Sequence, residues 1–341
     1  MADRARTTMY DVADAAGVSH QTVSRVVNDR PNVSPQTRAR VRAAMEELDY
    51  RPSGTARSLA VRRSGAVGVV SFMGPWFGPT TMLMEIEAAA RRSGYDVHIV
   101  SAVALQGQVF EAAVEGLLRR DVEGVVVIAP TDAQAAMVEG IFGRLPVVAV
   151  EGRLDGRAPF VGGDNEAGGH LAARHLMDHG HRTVAHVTGP PDWAEARQRT
   201  RGWERALREG GLEPGPQLVG DWTAESGFRA GTALLADPRL PEVSAVFVGN
   251  DPMALGLISA LYHAGVEVPG RISVMGYDNT PESGWFYPAL TTVEQQFDAV
   301  GAAAIEALVS LIEGEPPRPE LLVTPRLVSR SSVARMPGGL S

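Results

Sequence analysis

The stretch Thr8–Asp29 reads TMYDVADAAGVSHQTVSRVVND, and it predicts two short helices separated by a tight turn. Thr8 can accept a hydrogen bond at the start of the first helix, which we place over Met9–Ala16. Gly17 permits the positive φ that ends such a helix, and Ser19 can cap the next one. Two helices joined in this way form a corner that a third element must cover to complete a core.

The residues that follow predict that third element. The second helix, over His20–Asn28, is expected to bury Val23 and Val27. Its outward side would then carry His20, Gln21, Ser24 and Arg25. Ser34 followed by Pro35 signals the start of a third helix. Its apolar positions are Val41, Met45 and Leu48. Three helices in this order predict a helix-turn-helix, whose second helix can enter a DNA major groove. An ordinary helical bundle is the alternative.

The charge is unevenly distributed along the 341 residues. Residues 1–63 carry 11 Arg against 7 acidic residues, a net charge of +4, whereas the remainder has a net charge of −12. This asymmetry favours a basic arm for a polyanion joined to an acidic body, although a basic end can also be a solvated tail. The absence of cysteine, of a long apolar run and of a signal-peptide pattern predicts a cytoplasmic protein.

From Ala66 onward, short apolar strands alternate with helical stretches, and the pattern begins again near Phe160. This alternation predicts two doubly wound parallel α/β lobes with a ligand cleft between them. Polar and aromatic residues follow several predicted strands. They are Glu151, Arg199, Trp222, Asn250 and Asp278. Carboxylate, amide and guanidinium groups beside an aromatic face suit a sugar. Each also has a structural alternative: a helix cap for Asn250, a turn for Asp278 and the core for Trp222.

The first 64 residues resemble the DNA-binding headpiece and hinge of the LacI/GalR family, through the stretch quoted above and VSPQTRARVRAAMEELDYRPSGTARSLA after it. The body resembles the same family through GDWTAESGF, GNDPMALG, ISVMGYDNT and YPALTTVEQQF. The resemblance covers residues 8–330. It implies an all-α helix-turn-helix headpiece (1–51), a hinge helix (52–64) and a core of the periplasmic-binding-protein type (65–331). Lobe 1 would take 65–163 and 297–322, lobe 2 would take 164–293 and 323–331, and 332–341 would form a tail.

The resemblance also implies which residues contact DNA. The bases would be read by His20, Gln21 and Arg25. The DNA backbone would be held by Thr8, Tyr10, Ser19, Thr22, Ser24 and Asn28. In the hinge, Leu59 would insert into the minor groove while Ala56 packs closely, which kinks the duplex. A flexible Arg-rich linker is the alternative for the hinge.

A cleft between the lobes is implied as the effector site. Its lining residues would be Phe72, Trp76, Pro79, Met82, Glu151, Arg199, Trp222, Asn250, Asp278, Gln295 and Phe297. The implied function is a transcriptional repressor whose affinity for a near-palindromic operator is lowered by a small carbohydrate, galactoside-like or other. One alternative is a corepressor-type regulator activated by a purine or a phosphorylated metabolite. Another is a solute-binding or sugar-modifying protein that carries an N-terminal bundle.

Several further expectations complete the functional prediction. No leucine heptad follows the body, so a homodimer is expected. No nucleophile–base pair is recognisable, so an enzyme is not expected, and neither is a cofactor. His179, His181 and His186 have spacings that do not place three ligands on one helical face. We therefore expect no metal site there, and we expect these histidines to be solvated at a helix end.

Overall fold

The computed structural model describes residues 7–27, 31–50, 64–72, 74, 76–102, 107–138, 143–154, 156–316 and 318–336. The chain divides into two units, the first ending at Gly65 and the second beginning at Ala66. Three of the residues predicted to contact DNA lie outside the described residues. They are Asn28, Ala56 and Leu59.

The first unit contains the three predicted helices. They are α1 (Met9–Ala16), α2 (His20–Val27) and α3 (Pro35–Glu47). Thr8 caps α1 in a capping box with Asp11, and Gly17 ends it with a φ of 61°. Ser34 caps α3 by accepting a hydrogen bond from the Thr37 N–H. The start and stop signals in the sequence are therefore confirmed, because each one satisfies backbone groups that the helix ends leave free.

The core of the first unit lies where the three helices meet. Its buried side chains are Val12, Ala13, Ala16, Val23, Val26, Val41 and Ala44. The prediction that α2 buries Val27 is wrong in detail, since Val26 is the buried residue and Val27 is only partly buried. Positions three and four residues after Val23 both lie near its face of the helix. In this bundle the core lies on the side of the position three residues after Val23, which is Val26.

The second unit contains two six-stranded sheets. Sheet 1 has the strand order β11-β5-β4-β3-β1-β2 and is parallel throughout. Its strands are β1 (Ala66–Ser71), β2 (Asp96–Ser101), β3 (Val125–Ile128), β4 (Val147–Val150), β5 (Phe160–Gly163) and β11 (Glu320–Val323). Helices cover both faces. They are α4 (Phe77–Arg92), α5 (Gly107–Leu118), α6 (Asp132–Met137) and α11 (Phe297–Ile312).

Sheet 2 repeats this arrangement with the order β12-β10-β9-β8-β6-β7. Its strands are β6 (Val184–Thr188), β7 (Gln217–Val219), β8 (Ala245–Val248), β9 (Ser273–Tyr277), β10 (Thr291–Glu294) and β12 (Arg326–Val328). Its helices are α7 (Asn165–Asp178), α8 (Ala194–Glu209), α9 (Ala224–Leu235) and α10 (Asp251–His263), with a 3₁₀ turn over Pro281–Trp285. The predicted fold class is confirmed, with one refinement: β12 pairs antiparallel with β10.

The chain passes between the two sheets three times, after β5, after β10 and after β11. Both sheets have their first strand beside their third in chain order, β1 beside β3 and β6 beside β8. In such sheets the chain winds in opposite directions from this switch point, which opens a crevice at the carboxyl ends of the strands. A ligand site between the lobes is therefore expected where both sets of carboxyl ends meet.

The segment predicted as a tail from residue 332 is packed onto sheet 2, so that boundary is wrong for residues 332–336. The Ser332 hydroxyl is buried, donates to the Val274 carbonyl (2.6 Å) and accepts from the Thr291 N–H (2.8 Å). The Ala334 carbonyl lies 3.1 Å from His181 Nε2. Short polar residues make these bonds to neighbouring strands, and their composition alone does not distinguish them from a solvated tail.

The histidines expected to be solvated are in part buried. His181 and His186 are 1% and 0% exposed. The ring nitrogens of His186 contact the Phe247 carbonyl and the Thr200 hydroxyl. Burial lowers the pKa of each ring to about 4, so both are neutral at pH 7. In the described part of the chain, no group of three potential ligands is arranged to hold a metal ion, and no helix is long and apolar enough to span a membrane.

Candidate functional site

The outward side of α2 carries the side chains predicted to read DNA bases. His20, Gln21 and Arg25 are exposed. Tyr10 is 65% exposed, and its ring centroid lies 5.2 Å from that of His20. The predicted base-reading residues and Tyr10 therefore share one surface of the first unit.

Beside this surface is a shallow concavity between the start of α2 and the start of α3. Arg25 and Arg40 lie on it together with hydroxyl-bearing residues of both helix starts. Those residues are Ser19, Thr22, Ser34 and Thr37. Cationic and hydroxyl groups near helix N-termini are the groups that hold phosphates in protein–DNA complexes.

In the second unit, a cavity that opens to solvent lies at the carboxyl ends of both sheets. The lining residues are Trp76, Phe77, Gly78, Pro79, Glu151, Trp193, Glu195, Arg199, Trp222, Asn250, Asp278 and Gln295. Eight of the eleven residues predicted for the effector site are among them. Lobe 1 supplies an apolar wall and one carboxylate, and lobe 2 supplies most of the polar groups.

Three residues predicted for the effector site are not among the described lining residues of the cavity. Phe72 packs its ring 5.5 Å from that of Phe110 on one face of sheet 1. Met82 is buried on the opposite face. Phe297 packs its ring 6.0 Å from that of Phe77. These side chains turn back into the core of lobe 1 instead of projecting beyond its strand ends.

The guanidinium of Arg199 is the cation of the cavity, and its orientation is fixed on several sides. Its Nε donates to Asn165 Oδ1 (2.8 Å) and its Nη1 to the Gly249 carbonyl (2.6 Å). The guanidinium also lies 3.8 Å above the centroid of the Tyr277 ring. Arg199 is 4% exposed, and its Nη1 is 3.7 Å from Asp278 Oδ1. A buried charge held in this way is preorganised to bond a ligand.

The Trp222 indole lies against the backbone of Gly189, the residue that follows β6. A Cβ atom on Gly189 would come within 2.1 Å of the indole, so only glycine allows this approach. Trp193 packs edge-on against the same indole at 5.5 Å. Trp222 Nε1 is buried without a hydrogen-bond partner. An unpaired buried donor is unfavourable, so this N–H would gain from an acceptor.

Asn250 and Asp278 follow β8 and β9, and both are already engaged. The Asn250 side chain caps α10 and donates from Nδ2 to the Trp222 carbonyl (3.1 Å). Asp278 has a φ of 103° and accepts a hydrogen bond from Gln295 Nε2 (2.8 Å). Burial raises the pKa of Asp278, while the Arg199 charge opposes that change. The alternative of a capping Asn250 is therefore seen in the structure, although the side chain also lines the cavity.

Two further carboxylates face the cavity from opposite lobes. Glu151 follows β4 with a φ of 70°, and Glu195 lies in the first turn of α8. Each is 8% exposed, and Glu151 Oε2 has no hydrogen-bond partner. Burial, reinforced by the charge of Glu195, raises the pKa of Glu151 well above its usual value. Burial also raises the pKa of Glu195 to about 7.

The lobes touch beside the cavity. The Ala194 N–H donates to the Pro130 carbonyl (3.1 Å), and the ring of Trp193 lies 5.1 Å from that of Trp76. Arg197 Nη2 donates to both carboxylate oxygens of Asp132, at 3.1 and 3.2 Å. The first turns of α8 therefore line the cavity and also contact the opposite lobe.

Sequence reasoning missed Trp193 and Glu195 as lining residues. The available signal was their place in the loop and first turn that follow β6, with Trp193 four residues before Arg197 and Glu195 four residues before Arg199. Glu195 and Arg199 are four residues apart, so they share one face of the helix. Identifying that face needs the packing of α8 on the sheet.

Comparison with known proteins identifies both units. The family model for bacterial regulatory proteins of the lacI family matches residues 8–53, and that for the periplasmic binding protein-like domain matches 173–333. The lactose operon repressor of Escherichia coli (strain K12) is 36% identical over 95% of this chain and 90% of its own length. The HTH-type transcriptional repressor PurR of Pasteurella multocida (strain Pm70) is 34% identical over 96% and 98%.

Solved structures show the same relationship. The crystal structure of the lac repressor dimer bound to operator and the anti-inducer ONPF matches with a TM-score of 0.85 and 34% identity. The match covers 97% of this chain and 100% of that one. The family prediction made from the sequence is confirmed. The chain belongs to the lacI family of bacterial regulatory proteins, and it is a DNA-binding transcriptional repressor of that family.

Proposed function

We propose that this repressor loses affinity for its operator when a small carbohydrate binds in the cavity between its lobes. The observation that carries the proposal is the composition of that cavity. An indole, a guanidinium, an amide and buried carboxyl groups line the same space. Hydroxyl groups of a sugar can bond these polar groups while its C–H faces stack on the indole.

The headpiece would supply sequence recognition. We propose that α2 enters the major groove, with His20, Gln21 and Arg25 reading bases and the hydroxyl groups of Ser19 and Thr22 contacting phosphates. As the family resemblance implies, Asn28 would contact the DNA backbone, Leu59 would insert into the minor groove and Ala56 would pack closely there. The solved relative is a dimer on operator, which supports a homodimer and a near-palindromic site here.

Effector and operator would act on one conformational equilibrium. A ligand that contacts both lobes stabilises the arrangement in which they touch through Arg197 and Asp132. If that arrangement misaligns the paired headpieces, the ligand lowers operator affinity. By linkage, the operator must lower effector affinity by the same factor.

A corepressor that is a purine or a phosphorylated metabolite is the second candidate, and the cavity disfavours the phosphorylated form. Glu151, Glu195 and Asp278 face the space, whereas Arg199 is the one cation among its described lining residues. A phosphate dianion would meet three acidic groups and a single base there, and each acid would have to stay protonated to avoid repelling it. PurR among the relatives shows that family membership alone leaves the effector open.

The test uses the full chain and a palindromic operator selected from a randomised library. Fluorescence anisotropy would measure operator affinity while a panel of mono- and disaccharides is titrated. Three tryptophans line the cavity, so intrinsic fluorescence reports binding independently. We expect at least one saccharide to release the operator. Ligand-enhanced DNA binding would favour the corepressor alternative.

Variants connect the response to the site. Asp278→Asn removes a buried charge beside Arg199, and we expect it to abolish the sugar response while operator binding remains. The matched control is Asp298→Asn, an exposed position in the first turn of α11. A sugar response retained by Asp278→Asn, or operator occupancy unchanged by every saccharide, would refute the proposal.

A further inference from the structure

The described lining of the cavity contains more acidic than basic side chains. Its twelve described lining residues include three acids, Glu151, Glu195 and Asp278, and one base, Arg199. Arg199 is nearest to Asp278, with its Nη1 3.7 Å from Asp278 Oδ1. In the described chain, neither Glu151 nor Glu195 forms an ion pair. A neutral sugar would bring no positive charge to these acidic groups.

Glu151 adds a second, independent sign of a missing partner. Its side chain is 8% exposed and lines the cavity, and its Oε2 has no hydrogen-bond partner. Buried carboxylate oxygens are normally paired with a cation or with several donors. Burial and the neighbouring charge raise the pKa of Glu151, which is the response of a carboxyl group that lacks such a partner.

The aromatic wall restricts what that partner can be. Indoles of Trp76, Trp193 and Trp222 surround the same space, and indole faces attract cations. Trp222 Nε1 is a buried donor without an acceptor, so a simple cation would leave it unsatisfied. A small molecule that carries both a positive charge and hydroxyl oxygens would provide partners for the carboxyl groups and for the indole N–H.

We propose that the effector is a polyhydroxylated amine of the amino-sugar class, whose ammonium group binds between Glu151 and Glu195. This inference rests on the proposed carbohydrate site and names the chemical class of its ligand. The ammonium donates hydrogen bonds to carboxylates from both lobes, so it bridges them. The hydroxyl groups meet Arg199, Asn250 and the Trp222 N–H. Glu195 is then the residue that selects an amine over a neutral sugar.

The experiment compares matched ligands on the full-length protein. D-glucosamine, D-galactosamine and D-mannosamine are titrated beside their neutral parent hexoses and their N-acetyl derivatives. Tryptophan fluorescence and calorimetry give each Kd at constant pH and ionic strength. We expect at least one amine to bind about tenfold or more tightly than its neutral parent, since charge-assisted hydrogen bonds are about twice as strong as neutral ones.

Isosteric variants assign the preference to the carboxylates. Glu195→Gln is expected to bring the ratio of the two Kd values close to one. Glu213→Gln makes the same change at an exposed position of lobe 2 and should keep the wild-type ratio. Circular dichroism verifies folding, and Glu151→Gln gives a second test at the same subsite should Glu195→Gln fail to fold.

Each outcome bears on a different claim. Neutral sugars that bind as tightly as the amines would overturn the inference and leave the carbohydrate site standing. An amine preference that survives both Glu195→Gln and Glu151→Gln would overturn the assigned subsite. No binding by any member of the panel would remove the carbohydrate proposal itself, and this inference with it.

Discussion

Gly189→Ala tests whether the position of the Trp222 indole controls effector binding. A Cβ at this position would lie 2.1 Å from the Cη2 and Cζ2 atoms of the ring. Carbon atoms in contact prefer about 3.5 Å, so the ring has to withdraw by about 1.4 Å. Gly189 does not have a positive φ, so alanine adds no backbone strain and the perturbation is purely steric.

The ring has nowhere to withdraw without disturbing other groups of the site. Trp222 is 5% exposed, Trp193 packs on it at 5.5 Å, and its carbonyl accepts the Asn250 amide. A displacement of about 1 Å at a binding or catalytic group can cost roughly a hundredfold. We therefore expect effector affinity to fall between about 10-fold and 100-fold.

Calorimetry with the tightest saccharide measures the effect, and anisotropy measures operator affinity in the absence of sugar. Operator affinity should stay within about twofold, because the substitution acts on the wall of the ligand site and this assay contains no ligand. Gly116→Ala is the control, since its added Cβ meets nothing closer than 3.8 Å. Effector binding by Gly189→Ala within about twofold of wild type would refute the assignment of Trp222 to the ligand wall.

Two further predictions concern charge. Arg197→Ala removes the ion pair with Asp132, whose side chain is 82% exposed. Because exposed ion pairs are weak, we expect effector binding to lose about 1 kcal/mol or less, which is at most about fivefold in affinity by low-salt calorimetry. Unchanged affinity would show that the pair does not stabilise the bound arrangement. Burial raises the pKa of Glu195 from 4.5 to about 7, so the free energy of unfolding should decrease as pH rises from about 4.5 to 7, by up to about 3 kcal/mol. Glu195→Gln should flatten that part of the urea-unfolding profile. Burial also raises the pKa of Asp251 to about 7, so the wild-type profile alone does not isolate Glu195. Only the difference between the wild-type and Glu195→Gln profiles reports Glu195, and identical profiles would contradict the prediction.

Local backbone chemistry made much of the fold predictable. Thr8, Gly17 and Ser34 each satisfy a requirement of a helix end that depends on one or two neighbouring residues. The alternation of apolar strands and helices likewise predicts parallel sheets, because strands buried on both faces need continuous apolar runs. The antiparallel β12 escaped this reasoning, since its three residues, two of them half-buried, carry too little pattern.

The site was harder to predict because strand ends locate a side chain without giving its direction. In β1 every residue is buried, so the sequence has no apolar–polar contrast to show which face Phe72 takes after the strand. Met82 and Phe297 have the same ambiguity in helices that are buried against sheet 1. Glu195 was missed because a charged residue in the first turn of a helix is expected to be exposed. This charged residue in the first helical turn is 8% exposed, and it lines a cavity whose walls come from both lobes.

The start of α8 joins ligand binding to lobe position through one rigid element. Glu195 and Arg199 face the cavity, while Arg197 projects from the same two turns to Asp132 of the other lobe. Under the proposed function, a ligand that reaches from Glu151 in lobe 1 to these lobe 2 residues would complete its contacts when the lobes are as close as they are here. Its binding energy therefore includes whatever energy separates the closed arrangement from an open one. Coupling of this kind needs no chain of intermediate residues, because the same helix turns form the wall of the site and the contact that closure makes.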